Sequence, residues 1–179
     1  MEAIAWSTAD GTAVANTTTE TILFPNVTIP ANYMQDGRQL VQEAWGKFSV
    51  TATPGLAFKL RWGGVGGTIL AQSGNITSAS GVTNAIWMVR TRTTTRANGS
   101  SGSLFTMGEA IMYGAVAPTV GSATGAPGIA PMASAGITAP AATTVDLTAD
   151  TALSLTATWT AASASNTITG HNYYLDSPN

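Results

Sequence analysis

The sequence predicts an all-β protein: an antiparallel β-sandwich, jelly-roll-like, of about eight strands. Three observations carry this. First, Leu153, Leu155, Ala157 and Trp159 alternate strictly with Ser154, Thr156, Thr158 and Thr160, and a period of two places one set on each face of a strand. Second, short runs of the same kind recur along the chain, parted by small-residue turns, and no segment holds a convincing helical period. Third, Thr accounts for 29 of 179 residues, and its branched side chain fits the pleated surface of a sheet.

Taken in order, Met1–Thr19 has weak periodicity and a single aromatic, Trp6. It reads as an extended N-terminal arm or an irregular first strand. Thr21–Ile29 is the first clear strand-like run. Pro25 within it lacks a ladder donor, which places the run at an edge or on a bulge. Asp36-Gly37 marks a tight turn. Arg38–Thr51 carries Val41, Trp45, Phe48 and Val50. Gly46 interrupts it, and the expectation is a bulge that re-phases its apolar face.

Leu56–Trp62 alternates again, with Phe58, Leu60 and Trp62 on one face and Lys59 and Arg61 on the other. Gly63–Gly67 and the run Thr68–Ala71 complete a β-hairpin. Ser73–Asn84 is a small-residue loop. Ala85–Arg96 is the longest β-branched run: Trp87, Val89 and Thr91 share one face, Met88, Arg90 and Arg92 the other. Ala97–Ser103 turns the chain into a strand at Leu104–Tyr113.

The composition then shifts. Gly114–Ala142 holds Pro118, Pro127, Pro131 and Pro140, five glycines and no charge. The prolines exclude a helix or a central strand, so an extended insertion is expected over 114–142. Thr143–Leu147 resumes β-structure. The last hairpin, Ala152–Leu175, closes the sheet and leaves 176–179 as a tail. The domain reading is an N-terminal segment at 1–19, one β-domain at 20–175 and this tail.

Charged residues make up 9% of the chain, against about 25% in an ordinary soluble domain. With 30 Ala beside the Thr, the surface is short-chained and weakly charged. Such side chains lose little rotamer entropy when covered, which fits a protein packed among other subunits. A net charge of −2 offers no basic stripe for phosphates, so no nucleic-acid partner is expected. The chain has no cysteine, hence no disulfide or thiolate metal site. The N-terminus lacks the apolar core of a secretory signal, and no apolar run approaches the ~20 residues that span a bilayer. The expectation is synthesis in a cytoplasm and no membrane partner.

The inventory of reactive groups is thin. His171 is the single histidine, and in a terminal strand it reads as a surface or interface residue. No GxSxG motif sits at a strand-to-helix turn, as a nucleophile elbow needs. Asp146 and Asp150 are a closely spaced acidic pair, but a strand end and a turn explain them better than a glycosidase dyad. GGVGG at 63–67 lacks the Lys of a phosphate loop. Arg90, Arg92 and Arg96 form the one basic cluster, either facing an acidic neighbour or covering apolar surface with their stems. Matches to the glycosylation acceptor pattern at Asn16, Asn26, Asn75 and Asn98 read as chance in so Thr-rich a chain. No catalytic, cofactor or metal site is expected.

A resemblance adds to this reading. Thr28–Asn32 (TIPAN), Gly37-Arg38, Phe58–Leu70 (FKLRWGG…TIL), Asn84–Thr94 (NAIWMVRTRTT) and Thr144–Thr169 (TVDLTADTALSLTATWTAASASNTIT) together resemble jelly-roll virion proteins of tailed bacteriophages. The resemblance runs from about Thr19 to Leu175. It implies a structural role without catalysis, commonly as a homotrimer: a capsid decoration or cement protein whose partner is the major capsid protein. The alternative is a tail-fibre or spike head that recognises a host glycan or protein. The stretch 114–142 is longer than that group has there, and with 1–19 it is expected to act as an arm on neighbouring subunits. An enzyme ranks last. A fibre head commonly follows a long shaft, which 179 residues leave no room for, and Trp62, Trp87 and Trp159 read as core instead of sugar platforms. Both points favour cement.

Overall fold

The computed structural model describes residues 2–114, 128–134 and 139–179. Fourteen strands succeed one another: β1 (Glu2–Trp6), β2 (Val14–Ala15), β3 (Thr21–Ile22), β4 (Val27–Ile29), β5 (Gln39–Ser49), β6 (Gly55–Trp62), β7 (Thr68–Gln72), β8 (Ile76–Thr77), β9 (Ala85–Ala97), β10 (Gly102–Met112), β11 (Gly128–Ala133), β12 (Thr143–Val145), β13 (Thr151–Trp159) and β14 (Thr167–Ser177). No helix occurs among the described residues. Every pairing is antiparallel, so the all-β antiparallel class holds. The strand count is fourteen where about eight were expected. The strands form one hydrogen-bonded path, β1-β14-β5-β9-β10-β11-β7-β6-β13-β3, with β2, β4, β8 and β12 paired to its side.

The path folds over on itself. Phe58 of β6 packs on Trp87 of β9 with ring centroids 5.3 Å apart. Between the two layers lie Phe48, Trp87, Val89, Leu104, Met112 and Leu175 from one side and Leu56, Phe58, Leu60, Leu155 and Trp159 from the other, all buried. The alternation expected of β6, β9 and β13 is therefore correct in phase. The hydroxyl row of β13 is covered too: Ser154 and Thr156 are buried, because residues 20–26, which run beside β13 through β3 and β4, bring Glu20 to Thr156 and Asn26 to Ser154. Pro25 lies where that flanking run breaks into β3 and β4, as its missing donor requires.

Four further expectations need correction. Gly46 carries no bulge; β5 alternates without interruption, burying Leu40, Gln42, Ala44 and Phe48, so Val41 and Trp45 face outward. The bulge sits on the partner strand, where His171 is skipped between Gly170↔Gly46 and Asn172↔Trp45. The two glycines stand opposite each other because aromatic rings take the space of their side chains. A Cβ on Gly46 would lie 2.7 Å from Trp87 Nε1, and one on Gly170 would lie 2.3 Å from Phe24 Cζ.

Residues 1–19 are not a free arm. Both β1 and β2 pair with β14, which makes the irregular first strand the correct reading. The insertion 114–142 contains a strand, β11, despite Pro131. Residues 128–133 pair with β10 along their whole length, whereas the other side meets β7 at Ala133↔Gln72 alone, so the missing proline donor has little ladder to disrupt. The rest of the insertion, 115–127 and 135–138, lies outside the described residues. The tail 176–179 is anchored: β14 runs to Ser177, and Asn179 accepts from Gln39 N at 3.0 Å and donates to Gly37 O at 2.9 Å.

Candidate functional site

The N-terminal segment builds a cleft. After β1, Ser7 N donates to Tyr173 O at 2.8 Å and Gly11 N to Gly170 O at 2.8 Å. Ser7 Oγ accepts from Tyr173 N at 3.0 Å and donates to His171 O at 3.2 Å. Residues 4–10 are thus held along β14 as one wall. Residues 24–28, the broken run around Pro25, form the other. The floor is Phe24 and Tyr173, with ring centroids 5.2 Å apart. The space between the walls is about 450 Å³, within the roughly 300–1,000 Å³ of small-molecule sites. Burial pushes the Tyr173 phenol well above its ordinary pKa.

Two polar groups of this cleft, Asp10 and Asn26, are fixed before any ligand arrives. Asp10 Oδ1 meets His171 Nδ1 at 2.7 Å, so the bulge residue of β14 clamps the far end of the N-terminal wall. Asn26 Oδ1 accepts from Ser154 Oγ at 2.7 Å, which reserves its NH2 for other partners. Thr8 and Thr28 add hydroxyls to the lining. Trp6, in the same lining, is 63% exposed. A side chain of that size left in water is costly, at about 25 cal/mol for each Å² of apolar surface.

A second feature is the outer face of β14-β5-β9-β10-β11. Its cross-strand row Tyr174–Glu43–Arg90–Glu109–Pro131 alternates charge at the centre. Arg90 Nε lies 3.1 Å from Glu43 Oε1 and the guanidinium stands 5.6 Å from the Trp45 ring centre. Arg96 lies over Phe105 at 3.9 Å. These two arginines of the predicted basic cluster therefore cover aromatic surface on their own sheet. Ile86, Met107, Tyr113, Ile129 and Tyr174 are exposed on this face, and a hollow of about 330 Å³ runs over Gly108 between Arg90, Arg92, Met107 and Glu109.

A third cluster crosses the other layer. Glu20 accepts from Arg61 Nε at 2.5 Å, Lys59 Nζ at 2.8 Å and Thr156 Oγ1 at 2.6 Å. Burial raises the pKa of the Glu20 carboxyl, but the hydrogen bonds from Arg61, Lys59 and Thr156 outweigh it and bring the value down to about 2. This network pins residues 19–22 to β6 and β13 and so sets where the second wall of the cleft begins.

The acidic pair occupies turns. Asp146 Oδ1 accepts from Thr148 N at 2.8 Å and Asp150 Oδ1 from Ala31 N at 2.8 Å. The cleft was missed in the sequence because its walls lie about twenty residues apart and its floor includes Tyr173. One signal was present: Trp6 is the aromatic that no alternating run could claim for the core.

No family model matches the chain, and no curated protein does. Among solved structures it is similar to one described as the CBM2 module of Lactobacillus casei BL23 phage J-1 evolved Dit. The two share 13% identity over 97% of this chain and 94% of that chain, with a TM-score of 0.32. A likeness that distant carries no functional argument.

Proposed function

We propose that this chain is a non-catalytic recognition module of a tailed-phage virion, and that the cleft between residues 4–10 and 24–28 receives a receptor on the host surface. The observation that carries this is the cleft itself: an exposed Trp6 beside polar groups already held in place by His171 and Ser154. Preorganised groups lower the entropic cost of binding. The virion setting rests on the sequence resemblance. The test is binding of the purified, labelled protein to host cells: saturable binding that blocks adsorption of the parent phage is expected. Cells that do not bind the protein would overturn the reading.

A second reading, capsid decoration on the major capsid protein as a homotrimer, is favoured by the apolar outer face around Met107 and Ile129. Among the described residues no element covers it, and exposed apolar patches mark contact surfaces. Copy number separates the two readings. Quantitative mass spectrometry of virions returns many copies for decoration and few for a tail position. Light scattering on the free protein tests the trimer, and a stable monomer at micromolar concentration counts against it.

A further inference from the structure

We infer that the ligand of the Trp6 cleft is an uncharged sugar ring of a surface glycan, and neither an anionic polymer nor a protein epitope. This deepens the recognition reading and rests on it.

Charge comes first. The lining residues include one ionisable acid, Asp10, and no Lys or Arg. A phosphate or carboxylate group entering the cleft would meet the Asp10 carboxylate with no Lys or Arg in the lining, and the one imidazole beside it, His171, is already held on Asp10 Oδ1; bringing two like charges together there is unfavourable. A neutral hydroxyl has the opposite relation to the same atoms. A carboxylate oxygen accepts strongly from an O–H, and the Asn26 amide and the Thr8 and Thr28 hydroxyls supply donors and acceptors for the other hydroxyls of a ring.

Size and shape come second. About 450 Å³ between two walls lies within the roughly 300–1,000 Å³ of small-molecule sites, a concave space and not the broad flat patch of a standard protein interface. A ring or two of a saccharide fits that scale. The flat indole of Trp6 stands in the lining exposed, and none of the aromatic pairs among the described residues involves it. An amphipathic ring beside fixed polar atoms matches a sugar, which presents a C–H face and a hydroxyl rim. Rigidity comes third, since Asp10 and Asn26 are each anchored by one contact from outside the cleft.

The experiment uses the intact protein and two kinds of treated host cell. Mild periodate opens the vicinal diols of surface sugars; protease removes surface proteins. Binding lost on periodate and kept on protease is expected. Titration with a panel of neutral oligosaccharides should compete for the cells, whereas sialylated sugars and polyglycerol phosphate should not. Trp6→Ala should weaken binding at least about tenfold with an unchanged melting temperature, and Trp6→Phe should restore part of it. Asp10→Asn should weaken neutral-sugar binding without creating affinity for the anionic probes. Binding that survives periodate, or Trp6→Ala, or that the anionic probes compete for, overturns the sugar assignment and leaves the recognition reading standing. Absence of any cell binding overturns both.

Discussion

At the scale of single residues, two glycines make room for aromatic rings and one glutamate gathers three donors. Gly46 and Gly170 face each other across β5 and β14, and their missing side chains are the seats of Trp87 and Phe24. In Gly46→Ala the new methyl would stand 1.9 Å from Thr169 O, the acceptor of the Trp87 indole N–H. Backbone cannot yield as a side chain can, so this variant is expected to lose more than the roughly 1–3 kcal/mol typical of overpacking. Gly170→Ala pushes on the Phe24 ring instead. Its expected loss falls within that range, and it should also distort the floor of the cleft. Urea unfolding of both variants checks the order.

Glu20 gives a pH signature. Its folded pKa of about 2 lies below the ordinary carboxylate value of 4.5. A depressed carboxylate contributes stability above its unfolded pKa and loses it as pH falls. The network therefore contributes fully above about pH 5, and its share declines between 4.5 and 2. Allowing for solvent at the cluster, that share is on the order of 2 kcal/mol. Melting temperatures measured from pH 6 to 2 should fall steeply for the native chain and less steeply for Glu20→Gln.

At the scale of elements, the alternating strands were legible and the irregular ones were not. β6, β9 and β13 could be phased by eye because each keeps period two over a run whose apolar members are large. β5 misled because Gly46 occupies an inward position and looks like a break, when the missing side chain belongs to Trp87's packing. β11 was hidden by Pro131, and β1 by having no local partner: its hydrogen bonds go to β14, so Glu2 pairs with Ser177. The cleft inherits that difficulty, since a site made by β1, the Pro25 break and a β14 bulge leaves no contiguous motif. For β13 the phase leads to a direct check. Trp159 is 1% exposed, and Trp159→Ala should cost about 3–5 kcal/mol, read as a sharp drop in melting temperature.

At the scale of the whole molecule, the continuous sheet path makes the outermost strands both structural and functional. Removing residues 2–11 would take away β1 and one wall of the cleft and bare one edge of β14. Circular dichroism should still report β-structure, because β14 keeps its nine-residue register with β5. Light scattering should show association through the bared edge, and binding to cells should vanish.

The pairing of β5 with β14 has a consequence for synthesis. β5 ends at Ser49, and the strand that covers one of its edges starts at Thr167. On the ribosome, the donors and acceptors along Gln39–Ser49 must wait for more than a hundred later residues before that partner emerges, a delay in which contacts so distant in sequence form slowly. The nascent chain is thus open to capture by a neighbouring nascent chain until β14 has emerged. Slowing the ribosome between Ala142 and Thr167 should lower the yield of soluble protein more than slowing it before Gln39.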